Sequence, residues 1–183
     1  MFRSSFFALL IAFSGTAIAQ DLNYTFLQGT YEFIDVDPVN INGDGIGING
    51  SFAMSDRVYL IANYQGAGLD LNVDLTRWSA GAGIHAEMTS NVDMFAEMSY
   101  LYLDLDGPAS LSDNDGLFGR AGVRTAITEA LEIQGAARYD DLSEEFGFDV
   151  GVLYNLTDLF AVGAFGIFDD EVTTYSAGVR LNF

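Results

Sequence analysis

A chain of 183 residues with 26 acidic and only 7 basic side chains, a formal charge of −19, has no basic surface with which to hold a phosphate backbone, and nucleic acid is excluded as a partner. Half of the residues are hydrophobic and 18% are charged, with 20 glycines and 2 prolines, a composition too apolar for an acidic disordered chain. Cysteine is absent, so neither disulfides nor a thiolate metal site is available, and stability must come from packing and backbone pairing.

Residues 1–19 carry Arg3, an apolar run from Phe6 to Phe13, and Ala17-Ile18-Ala19 before Gln20. That layout predicts a signal peptide cleaved after Ala19, because the run is too short to cross a bilayer as a helix. Cleavage removes Arg3 and no acid, which takes the formal charge from −19 to −20. Nothing after Ala19 approaches the roughly eighteen uninterrupted apolar residues of a spanning helix. The remaining 20–183 are expected to form one domain.

Within that domain, alternation with a period of two predicts strands at about 22–34, 46–55, 58–66, 73–88, 92–105, 116–127, 131–140, 146–156, 159–168 and 173–183. One strip of each strand is free of charge: Leu60, Ala62 and Tyr64 in the third, Trp78, Ala80, Ala82, Ile84 and Ala86 in the fourth, Phe146, Phe148, Val150, Val152 and Tyr154 in the eighth. The opposite strip is polar or small, as in Arg77, Ser79, Gly81, Gly83, His85 and Glu87, or Arg120, Gly122 and Arg124. Alternation of this kind fits either a soluble sandwich or a membrane barrel.

Charge placement decides for the barrel. Five of the six arginines after Ala19 (Arg77, Arg120, Arg124, Arg138, Arg180) and five acids (Glu32, Glu87, Glu97, Glu132, Asp149) lie on polar strips. A solvent-facing sheet gives no reason to confine arginine there, whereas a narrow lumen demands opposite partners for each charge. With His85, these residues are the expected lumen charge network. A three-residue turn at 128–130 sets Arg124 diagonal to Glu132, and the same register faces Arg120 with Arg138, which requires Asp149 or Glu97 between them. The turns after even-numbered strands are short and the other five connections are mostly longer, holding sixteen acids, which is the asymmetry of periplasmic turns and external loops. Tyr31, Phe33, Tyr64, Trp78, Tyr100, Tyr102, Tyr139, Phe146, Phe148 and Tyr175 gather near the long-loop end as an interfacial girdle.

The final strip, Tyr175, Val179, Leu181 and terminal Phe183, together with this pattern, resembles the small outer-membrane β-barrels of Gram-negative bacteria, the OmpA-like and OmpX-like proteins. The resemblance implies residence in the outer membrane, contact with its lipid and lipopolysaccharide, and a C-terminal signal formed by those four residues and read by the barrel-assembly machinery. The chain departs from these relatives in having ten strands rather than their eight, which remains the alternative count, and no peptidoglycan-binding domain is expected after the barrel.

Two groups of residues carry potential chemistry. His85 with Ser79, Glu87 and Glu97 offers hydrolase-type groups. Known barrel enzymes, the lipid A deacylases and omptin-like proteases, hold such groups toward the outside, whereas His85 is expected in the periplasmic half. Asn40-Ile41-Asn42-Gly43-Asp44-Gly45 has the start of a calcium loop but Ser51 at its twelfth position, so no metal site and no cofactor are expected, only diffuse Mg²⁺ or Ca²⁺ between loop acids and anionic lipid. The expected function is a non-enzymatic barrel with a charge-paired lumen and acidic external loops, serving envelope integrity or surface interaction. The alternative is a small, weakly conducting, cation-preferring channel.

Overall fold

A computed structural model describes residues 22–37, 41–70, 73–107 and 114–183; the expected signal peptide lies outside them. Ten strands follow in order: β1 Phe26–Val36, β2 Ile41–Ala53, β3 Val58–Leu69, β4 Val73–Thr89, β5 Val92–Asp106, β6 Asn114–Ala126, β7 Leu131–Asp140, β8 Glu145–Asn155, β9 Phe160–Phe168 and β10 Val172–Asn182. Each pairs antiparallel with its sequence neighbours, and β1 pairs β10 from Phe26↔Asn182 to Val36↔Val172, closing the sheet into an up-and-down barrel. Closure leaves no unpaired edge, which is the condition for a sheet to sit in hydrocarbon. The shortest strand, β9, has nine residues, enough for a tilted crossing.

Three of the short turns share one device. Ser55, Thr128 and Thr157 each open a turn and accept, through the hydroxyl oxygen, the backbone N–H three residues on, from Val58, Leu131 and Phe160. A short hydroxyl side chain thereby replaces a ladder partner and lets the chain reverse in two to three residues.

The two faces separate as the alternation requires. Leu27, Leu60, Met98, Val150, Val152 and Val179 point outward and stay exposed, while Gln28, Arg124, Glu132, Asp149 and Arg180 point inward and are buried. Inside, space is fitted closely: a side chain at Gly83 would collide with the Tyr59 ring, and one at Gly47 with the Glu32 carboxylate.

Two strand boundaries differ most from expectation. Leu22–Thr25 is not strand; the segment leaves the sheet and turns into the lumen. Ile41–Gly45 is strand, paired with Glu32–Val36 of β1, so the described part of the calcium-like stretch is extended backbone rather than a loop folded around an ion. Pairing with β1 overrides the local turn preference of Asn-Gly-Asp-Gly. Asp35, Asp44, Asp74, Asp104, Asp106, Asp115, Asp140 and Glu145, all counted among the sixteen acids of the longer connections, stand within strands near their ends.

Candidate functional site

The lumen is organised in three levels along the axis. At the outer level Arg77 Nη2 lies 2.6 Å from Asp140 Oδ2 and Arg138 Nε 3.3 Å from Asp169 Oδ1. Both guanidiniums flank the Phe118 ring, with centroid distances of 5.8 and 4.9 Å. Asp169 stands between β9 and β10; its burial raises the carboxyl above the usual aspartate range, against the opposing pull of Arg138 and Arg77.

At the middle level Arg120, the register partner of Arg138, pairs with two carboxylates: its Nε is 3.1 Å from Glu97 and its Nη2 3.8 Å from Asp149. Tyr59, 2% exposed, donates its hydroxyl hydrogen to Glu97 Oε1 at 2.8 Å. Arg120 also lies 4.9 Å from the Phe95 centroid.

At the inner level Arg124 donates through Nε to Glu132 Oε1 at 2.9 Å, and its Nη2 is 2.8 Å from the same oxygen. Arg180 stands 3.7 Å from Glu132, donates through Nε to Gln28 Oε1, and stacks 4.0 Å from the Phe26 centroid. Across this level lies Leu22–Thr25. Tyr24 stacks on His85 at 3.8 Å, meets Tyr59 at 4.8 Å and carries Arg124 over its ring at 4.5 Å. Backbone bonds fix the segment: Arg124 Nη1 donates to the Asn23 carbonyl, Ser51 Oγ to the Tyr24 carbonyl, and the Phe183 N–H to the Thr25 carbonyl. Together Tyr24, Tyr59 and Ile61, with Leu22 and Ala53 against them, form an apolar cluster at the end of the lumen where the described residues begin and end.

Two members of the expected network stand apart. Glu87 is exposed at the inner mouth, beside the register shift between Glu87 and Thr89, where the strand end runs past the enclosed part of the lumen. Glu32 is 8% exposed and enclosed, yet among the described residues no arginine or histidine pairs with it; its oxygens accept from Thr30 and Gln65. Asp140 and Asp169 take the places of these two as arginine partners. His85 Nδ1 is 3.2 Å from Asp93. Ser79 lies six residues from His85 on the same strand, about 20 Å at the strand rise, and its Oγ accepts from Asn63. Those groups therefore cannot act on one bond.

The aromatic members of the girdle all lie on the outward strips. Tyr31, Phe33, Tyr64, Trp78, Tyr100 and Tyr175 are exposed, as are Phe146 and Phe148, while Tyr102 and Tyr139 are half-buried against Trp78 and Phe146. Tyr31 donates to Asp44, and Tyr100 bonds Asp115, joining the ring row to the acidic rim. Tyr175, Val179 and Phe183 are exposed on β10 and just beyond it, with Leu181 half-buried on the same strip.

A closed, ten-stranded antiparallel barrel with an uncharged outer wall and a charge-paired lumen is a transmembrane β-barrel of the outer-membrane type. A solved structure agrees on the fold: an outer-membrane channel from Pseudomonas putida F1 matches with a TM-score of 0.51 at 9% identity, over 92% of this chain and 99% of that one. The KdgM porin in complex with disordered oligogalacturonate matches with a TM-score of 0.49 at 10% identity, over 87% and 99%. The translocator domain of the autotransporter NalP from Neisseria meningitidis matches with 0.49 at 10%, over 86% and 87%. No protein-family model matches the chain, and no curated protein sequence does.

Proposed function

We propose that this protein is a non-enzymatic barrel of the Gram-negative outer membrane whose lumen is closed, and that it serves the envelope through its lipid-facing wall and acidic outer rim. The observation that carries this reading is the position of Tyr24, which turns into the inner end of the lumen and packs against His85, Tyr59 and Arg124. The charge-paired levels above it support the same reading, since each guanidinium bridged to a carboxylate narrows the path. On this view the chain is exported by a signal cleaved after Ala19, is assembled through its C-terminal strip, and meets lipopolysaccharide through divalent cations held between the rim acids and anionic lipid.

The second reading is a weakly conducting, cation-preferring channel, favoured by the lumen cavity of about 190 Å³ and by the rim acids. Planar-bilayer recording separates the two. The closed barrel shows no steady unitary conductance, and Tyr24→Ala creates one. Steady, cation-selective conductance in the unaltered protein overturns the closed reading.

A further inference from the structure

Among the described residues inside the barrel, seven carboxylates face five guanidiniums and one imidazole. Glu97, Glu132, Asp140, Asp149 and Asp169 neutralise Arg77, Arg120, Arg124, Arg138 and Arg180, while Asp93 faces His85. Glu32 is left over. It is more than nine-tenths buried and lines the lumen cavity. Among the described residues none of the six arginines nor the single histidine pairs with it, and lysine does not occur in the sequence.

The surroundings are built for a charged carboxylate. Thr30 Oγ1 donates to Oε1 at 3.0 Å, and Gln65 Nε2 donates to Oε2 at 2.6 Å. Gly47, the register partner of both Thr30 and Gln65, leaves open the space that a side chain would take from the carboxylate. Two donors occupy about half of the lone-pair positions of a carboxylate, and the rest remain for a ligand. A buried carboxylate without a counter-charge is strongly unfavourable.

We propose that the lumen cavity binds a small ligand carrying a primary ammonium group, with Glu32 as its counter-charge. The donor arrangement favours an ammonium over a metal ion. Thr30 and Gln65 both turn hydrogens toward Glu32, whereas a hard metal would need six or more oxygens turned toward itself. An ammonium needs three acceptors; the carboxylate keeps free positions, and Asn49, Asn63 and Ser79, which line the same cavity, carry further acceptor oxygens. The cavity, about 190 Å³ with mixed polar and apolar walls, has room for the short carbon chain of such a ligand. This goes beyond the proposed function, because a barrel that does not conduct can still bind.

The test is calorimetric titration of the folded full-length mature barrel with n-butylammonium chloride, using tetramethylammonium chloride and sodium chloride at matched ionic strength. Saturable binding of butylammonium alone is expected, weakened roughly tenfold or more in Glu32→Gln. Equal binding by a folded Glu32→Gln barrel overturns the proposal, and so does equal competition by sodium. If Glu32→Gln does not fold, the unaltered protein still decides: failure to prefer butylammonium over tetramethylammonium, which has no N–H donor, overturns it. A barrel that conducts and also binds butylammonium refutes the closed lumen and supports this site.

Discussion

Arg124→Met removes the cation of the inner level without shrinking the side chain much. Arg124 is 4% exposed and serves Glu132, the Asn23 carbonyl and the Tyr24 ring at once. Its loss leaves Glu132 with Arg180 alone, at 3.7 Å. Breaking a buried pair from one side costs about 3–5 kcal/mol, and the surviving Arg180 contact points to the lower end, about 3 kcal/mol or roughly a hundredfold in the unfolding equilibrium. Urea unfolding of the barrel in lipid vesicles, followed by the loss of the compact band on unheated gels, measures it. Adding Glu132→Gln removes the orphaned charge, so the double variant should be less destabilised than the two single effects combined. Exposed Arg57→Ala is the control and should stay within about 0.5 kcal/mol of the parent. An Arg124→Met barrel as stable as the parent refutes the claim that lumen pairs hold the inner level together.

Val150→Arg puts a guanidinium on the outward strip and should cost about 2–4 kcal/mol in the same vesicle assay, since Val150 faces hydrocarbon. Gly83→Val drives a side chain into the Tyr59 ring and should destabilise by about 1–3 kcal/mol, with Tyr59→Leu in the same chain restoring most of it. Carbon-detected NMR should find the Asp169 carboxyl titrating above the usual aspartate range, and higher still in Arg138→Met. Because the folded state holds that proton more tightly than the unfolded one, the contribution of Asp169 to stability is full below the ordinary aspartate value and declines as pH rises through its raised folded value.

The faces of the barrel are legible in the sequence because a strand sends alternate side chains to opposite sides, so Trp78 to Ala86 and Arg77 to Glu87 sort themselves by parity alone. Strand ends are less legible. Tyr24 has the parity of Phe26 and Gln28 and reads as more of the same strand, but its contacts to Arg124 and His85, distant in sequence, draw it inward. Asn42 to Gly45 reads as a turn and becomes strand because β1 offers a partner there. Arg77 finds Asp140 63 positions away, a pairing set by how the barrel closes rather than by local spacing. One signal was available: Phe26, Phe95 and Phe118 stand on polar strips, where a wet face has no use for them, and each takes an arginine over its ring.

Trp78 is the single tryptophan, exposed on the outward strip in a row with Tyr64 and Tyr102. Its fluorescence in vesicles containing lipids brominated along the acyl chain reports directly whether that strip touches hydrocarbon. Strong quenching by bromolipid with little quenching by aqueous iodide is the expected result. Iodide quenching without bromolipid quenching, in a protein that stays monomeric in detergent-free buffer, would contradict the assignment of the uncharged face to lipid and the arginine face to the lumen.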